Sequence, residues 1–341
     1  MALHTADFDY HLPPDLIAQH PLEERGTSRL LVVHRDTGQL EDRSFRDFPA
    51  LLAPGDLLVL NTTRVRHARL FGTRPSGAPA EVLLIHPAAD GTWIAMGKPG
   101  SALRPGKRIA LGDEVFVETV AVLANGNRSV RFIGASADEA IRRFGRLPLP
   151  PYIDREPDAA DETGYQTVYA EREGSVAAPT AGLHFTPEGL QSVRAIGAGI
   201  ARLELEVGPG TFKPVETEDL TAHAMHPERY DISAEVVSQV EQTRSGGGRV
   251  WAVGTTVVRA LESAVENDQL RPGPGETSLM ITPGYRFQVV DRLLTNFHLP
   301  RSTLLMLVSA FAGHELIRRA YEHAVEQRYR FYSYGDAMAI L

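Results

Sequence analysis

The residues best suited to chemistry sit in a run of small side chains, Gly174-Ser-Val-Ala-Ala-Pro-Thr-Ala-Gly-Leu-His-Phe-Thr186. It has neither a two-residue nor a 3.6-residue apolar period and so predicts a loop. At its end Thr186 can cap a helix whose first position is Pro187. His184 then stands just ahead of a helix N-terminus, where unpaired N–H groups favour an anionic group. Pro179, Thr180, Gly182 and Phe185 share the loop, and such residues let a ligand come close to the backbone. Two readings are open for His184: proton transfer to a bound ligand, or a local hydrogen bond in a tight connection.

Other loops repeat the pattern. Gly208-Pro-Gly210-Thr211-Phe212 and Gly254-Thr255-Thr256 each follow an apolar run, and the second suits an anion or a hydroxyl. Capping by Thr255 or Thr256 accounts for it equally well. Neither is a dinucleotide fingerprint, and Gly100–Lys107 fails as a phosphate loop because Arg108 stands where Ser or Thr is required. His223, His226 and Glu228 have a spacing that could suit a metal, but Pro227 forbids a regular helix and no fourth ligand is evident. They fit better as loop residues for substrate hydrogen bonds or proton transfer. Asn296-Phe297-His298 forms a polar corner before a helix start at Ser302 or Thr303, and His298 can equally be a half-buried structural histidine. In the tail, Tyr332 and Tyr334 lie beside Asp336, offering aromatic faces for a purine or for a closing strand.

The chain of 341 residues has room for two domains, and its 43% hydrophobic and 23% charged residues are ordinary for a globular protein. Without cysteine there can be no disulfide, thiolate metal site or cysteine nucleophile. The N-terminal residues have no signal-peptide pattern, which gives a cytoplasmic location by default. The net charge of −8 argues against a generally nucleic-acid-binding surface. Its distribution is uneven. Residues 63–151 hold 13 Lys and Arg against 7 Asp and Glu, and the remainder 22 against 36. A basic segment held by an acidic body suggests that one part meets an anionic partner. Arg64, Arg66, Arg69, Lys98, Lys107 and Arg108 supply part of that charge, and Trp93 is the segment's one tryptophan.

The predicted elements form an α/β protein with a β-rich insertion. Strands are expected at Arg29–His34, Gln39–Ser44 and the wholly apolar Leu57–Leu60, which ends at Asn61, where such sheets hold ligands. Between Val65 and Tyr152 come six short strand-like runs separated by glycine turns, predicting a small antiparallel barrel or sandwich. The division is 1–62 plus 152–341 for the main domain and 63–151 for the insertion. Strands and helices then alternate, with helices at 186–196, 234–242 and 257–266, one long helix from Ser302 or Thr303, and a closing strand at Tyr329–Tyr332.

These motifs together resemble the S-adenosylmethionine:tRNA ribosyltransferase-isomerase family of queuosine biosynthesis. The matching residues include Asp7-Phe-Asp-Tyr10, Ser28-Arg29-Leu30, Asn61–Val65, Ala178–Thr186, Gly208 with Gly210–Phe212, His223 with His226, Gly254–Ser263, Thr295–Gly313 and Tyr329–Met338. The resemblance implies an α/β domain with an inserted six-stranded barrel; nothing in the sequence suggests an obligate dimer, and a monomer is expected. It implies that S-adenosylmethionine gives up its ribosyl portion to 7-aminomethyl-7-deazaguanine at the tRNA wobble position, releasing adenine and methionine and needing no metal or redox cofactor. On that basis His184 and His298 are expected to move protons, with Glu228 and Asp336 orienting or binding. Substrate contacts are expected from Asn61, Arg64 and His226, from the three loops and Ser302, and from Asn296, Tyr332 and Tyr334. Arg66, Arg69, Lys98, Lys107 and Arg108 are expected to meet tRNA. The chain departs from the family pattern at Glu206, where a histidine is usual, at Thr62, where an acidic residue is usual, at Arg66-His67 and around Gly77. A methyltransferase would need a glycine-rich Rossmann loop, which is absent. A purely RNA-binding module would leave the loops at 174–186 and 295–302 without a purpose.

Overall fold

The computed structural model describes residues 4–212, 217–220, 223 and 225–341. Its main sheet has nine strands, in the order Gly273–Thr277, Glu228–Ile232, Gly199–Leu205, Leu57–Asn61, Val250–Val253, Arg292–Asn296, Ala337–Ile340, Arg29–Val33 and Leu40–Ser44. The four strands from Gly199–Leu205 to Arg292–Asn296 run parallel; Glu228–Ile232 and Ala337–Ile340 join them antiparallel on either side, and Arg29–Val33 lies parallel to the latter. Burial on both faces explains the unbroken apolar runs Leu57–Leu60 and Val250–Val253, whereas Gly199–Leu205 alternates buried and more exposed side chains. Leu57 and Val59 pack on one face with the helices Ala234–Ser245, Thr255–Ser263, Thr303–Ala312 and His314–Glu326. Leu58 and Leu60 point the other way, against Phe45, Phe48, Phe185 and the helix Pro187–Ala195. A period of two thus feeds two separate cores from one strand.

The insertion is a second, closed sheet. Its strands Arg69–Thr73, Pro79–Pro87, Trp93–Lys98, Arg108–Gly112, Val115–Val122 and Arg128–Ile133 pair antiparallel, and a short seventh, Gly145–Arg146, lies on the first. The ring closes where Thr73 meets Ala110. Glycine is needed beside that closure, because a Cβ on Gly72 would stand 2.5 Å from the Ala110 carbonyl oxygen. Leu70, Val82, Leu84, Trp93, Ile109 and Val130 fill its interior. Val65, Leu147, Leu149 and Ile153 join Tyr165, Ala178, Leu183 and Tyr334 in a small core where the ring meets the main body.

Two expected elements differ. The closing strand is Ala337–Ile340 rather than Tyr329–Tyr332, because Asp336 bends the tail back by accepting from the backbone N–H of Arg29 and of Arg330, each at 2.8 Å. The single C-terminal helix is two helices, divided at Gly313, whose φ of 92° no continuous helix permits.

Candidate active site

At the carboxyl ends of the parallel strands the chain leaves Asn61, Leu205, Val253 and Asn296 for loops on one side of the sheet, where α/β folds hold ligands. A narrow slot of about 60 Å³ opens there between Pro179, Thr180, Thr255, Thr256, Asn296 and Ser302. Two helices begin at it. Gly254, at φ 90°, turns the strand Val250–Val253 into the helix Thr255–Ser263, and Ser302 caps Thr303–Ala312 by accepting from Leu305 N–H at 3.2 Å. Both N-termini therefore aim partial positive charge at the slot. Thr256 Oγ1 and Asn296 Oδ1 are buried with no hydrogen-bond partner, while Asn296 Nδ2 donates to Tyr332 O at 2.9 Å. Unpartnered polar atoms are costly inside a protein, and these two are open to a hydrogen bond from water or a ligand.

His184 is buried behind the slot, on the short 3-10 helix Thr180–His184. Its Nδ1 is 2.8 Å from Ser28 Oγ, and its Nε2 has no partner. Burial pushes the imidazole down to about 4, with the neighbouring Asn296 side chain acting in the opposite sense. The ring is therefore neutral at pH 7 and able to accept a proton. His298 is likewise pushed down, to about 3, by burial; its Nε2 is 2.8 Å from Thr295 Oγ1. Beside the slot, Tyr332 adopts φ 72° and tilts against Tyr152, with ring centres 4.6 Å apart. Tyr152 is hydrogen-bonded in turn to Ser333, at 2.6 Å.

Other expected residues hold the framework. Asn61 spends its whole amide on the backbone, donating to Leu205 O and accepting from Leu205 and Thr63 N–H. Glu228 is buried in an ion pair with Arg259, and its Oε1 accepts from Gly208 N–H at 2.9 Å, fixing the loop at the slot's edge. Asp336 is raised by burial and uses both oxygens on backbone N–H groups. Phe185 belongs to a core, and Thr186 caps Pro187–Ala195 through Gly189 N–H. Gly182 is pressed against Tyr169, where a Cβ would meet the hydroxyl at 2.1 Å, and Gly210 against His226 at 2.8 Å. The side chain of Thr211 lies outside the described residues. Tyr334 donates to Asp161 at 2.6 Å, and Arg64 is exposed, donating to Ala170 O at 3.1 Å.

A second cavity, of about 640 Å³, lies next to the slot and shares Ser333 with it. His184, Arg25, Arg64 and Tyr334 line it. Arg25 was not singled out in the sequence. It donates to the carbonyls of Thr163, Gln166 and Leu183 at 2.6, 2.9 and 3.1 Å, long-range bonds that no local pattern announces. Ser28 was missed as a partner of His184, although it lies in one of the matched segments.

On the ring, Arg69 makes a two-pronged pair with Glu81, at 2.9 and 3.1 Å, and Arg108 shares Glu118 with Arg131. Arg66 stacks over Trp93 and donates to Glu173 O. Lys98 and Lys107 are exposed, with no carboxylate partner among the described residues.

A mixed α/β sheet with helix starts converging on a narrow slot, and a closed antiparallel ring inserted after its third strand, define a two-part α/β protein. Residues 5–340 match the family described as "Queuosine biosynthesis protein", and the chain belongs to that family. It is 54% identical to the S-adenosylmethionine:tRNA ribosyltransferase-isomerase of Azoarcus sp. strain BH72, over 100% of this chain and 98% of that one. It is 53% identical to the protein of the same name from Symbiobacterium thermophilum, over 99% and 100%. Among solved structures, the S-adenosylmethionine tRNA ribosyltransferase of Thermotoga maritima aligns with a TM-score of 0.58 and 38% identity, covering 98% of this chain and 100% of that one.

Proposed function

We propose that this chain transfers and isomerises the ribosyl portion of S-adenosylmethionine onto 7-aminomethyl-7-deazaguanine in tRNA, giving epoxyqueuosine and releasing adenine and methionine. The observation that carries the reading at the site is the pair of unpartnered buried atoms, Thr256 Oγ1 and Asn296 Oδ1, at the carboxyl ends of the parallel strands. The full-length kinship with named ribosyltransferase-isomerases supplies the chemistry.

In this reading the amino-acid end of the donor enters the slot, its carboxylate facing the N-termini at Thr255 and Ser302. The slot's narrowness keeps water from the reacting carbons. A proton must leave a carbon beside the sulfonium, and in this reading His184, neutral and next to Asn296 of the slot, takes it. His298 holds the corner through Thr295, and Glu228 and Asp336 position loops through backbone N–H groups. Lys98 and Lys107 meet tRNA phosphates.

The test is direct. Purified protein, S-adenosylmethionine and tRNA bearing the aminomethyl base should yield adenine and methionine with a matching mass gain on the tRNA. S-adenosylhomocysteine would mean methyl transfer, and tRNA binding without products would mean a binding module; either result overturns the reading.

A further inference from the structure

Resting on the reading above, we propose that the cavity of about 640 Å³ beside the slot receives the target nucleotide of the RNA, swung out of its loop. The base lies against His184 and Thr167, and its phosphate meets Arg25 and Arg64. An enzyme that works on a base must take it out of the stack, and a cavity of this size suits one nucleotide.

Four features of the cavity support this. Thr167 Oγ1, on a residue 5% exposed, is an unpartnered atom of its lining. Arg25 is held by three carbonyls and forms no ion pair with any described carboxylate, so its charge remains available to an anion. Arg64, also unpaired with a carboxylate, adds a second cation. Finally, Leu22 and Val168, two of only four exposed large apolar side chains among the described residues, both stand on this rim. Apolar surface at the mouth of a cation-bearing cavity matches the flat face and charged edge of a nucleotide. Ser333 borders both spaces, so a base held here reaches the donor in the slot.

The experiment compares two labelled anticodon stem-loop RNAs, one with the aminomethyl-deazaguanine at the wobble position and one abasic there. Affinities are read by fluorescence anisotropy on the full chain, and S-adenosylmethionine binding by calorimetry. The wild type should prefer the base-bearing RNA by about tenfold or more, the scale of one stacked base. Val168→Trp, at an exposed rim position, should erase that preference and leave S-adenosylmethionine affinity unchanged. Leu22→Trp on the same rim provides a second variant should the first fail to fold. Equal wild-type affinity for the two RNAs would overturn the proposal, as would a full preference retained by the folded tryptophan variants. Loss of S-adenosylmethionine binding with RNA preference intact would also overturn it, assigning the cavity to the donor. Release of adenine and methionine by the wild type tests the ribosyl-transfer reading separately. Turnover without base preference therefore refutes this cavity alone, and absence of turnover refutes the reading beneath it.

Discussion

The ring and the main sheet differ in where their polar groups find partners. Along the ring, Arg69 meets Glu81, Arg108 and Arg131 meet Glu118, and Arg143 meets Asp113 and Glu139. Four of the ring's cations are answered there, while Arg74, Lys98, Arg104, Lys107, Arg128 and Arg142 meet no carboxylate among the described residues. At the ends of the main sheet's parallel strands, polar groups are left unanswered: Thr256, Asn296 and His184 have buried atoms without partners, and Arg25 faces no carboxylate. A scaffold satisfies its polar groups internally, whereas a site leaves some for its ligand. Counting cations along the chain does not reveal which of them are free.

The sharpest way to break this contrast is His184→Ala. Removing this proposed proton acceptor should lower the rate of adenine release by roughly 10²–10⁴-fold while the fold persists, and a change within twofold would return His184 to the framework. Next comes Arg259→Ala, which strands Glu228 in the interior. Urea unfolding should show a loss of about 3–5 kcal/mol, and a loss below 1 would mean that the pair is solvated.

The two buried histidines give a pH signature. Their folded pKa values, about 4 and about 3, lie below the ordinary value of 6.5, so the stability tied to their neutral forms is complete above pH 6.5. It falls as pH drops, by about 1.4 kcal/mol per pH unit for each histidine, until their folded values are reached. Unfolding curves between pH 6.5 and 4.5 should be flatter for His298→Gln than for the wild type, and identical slopes would contradict the burial argument. The smallest effect belongs to the ring. Replacing Lys98 and Lys107 with Ala should reduce the salt dependence of tRNA affinity by about 0.7–0.9 in logarithmic slope per lysine, whereas Arg69→Ala should leave it nearly unchanged. Equal effects from all three would erase the distinction between paired and free cations.

Much of the frame was legible from short-range signals. The apolar run at Leu57–Leu60, the cap and proline at Thr186-Pro187, and the glycine-punctuated strands of the insertion all declare themselves locally. The turns around the candidate site were legible too, because small residues after apolar runs mark strand-to-helix turns. The roles of individual polar residues were not. Asn61 and Asp336 look like ligand groups in sequence, yet the backbone consumes their side chains, 144 positions away for Asn61 to Leu205 and 307 for Asp336 to Arg29. Arg25 carries no motif at all, and its three carbonyl partners lie 138 to 158 positions along the chain. Side-chain assignment depends on contacts that only the folded chain creates.

Closure of the ring at Thr73 and Ala110 has a consequence for crowded solutions. Apart from the two-residue strand Gly145–Arg146, a sheet joined to itself presents little open border to a neighbouring molecule. The main sheet does end in two borders, but one is Leu40–Ser44, with Glu41, Asp42 and Arg43 in sequence, and the other is Gly273–Thr277, which contains Pro274. Charge at one margin and a missing N–H at the other discourage strand-to-strand recruitment. A chain with sixteen strands in its two principal sheets is thereby protected against fibril-like association at high concentration.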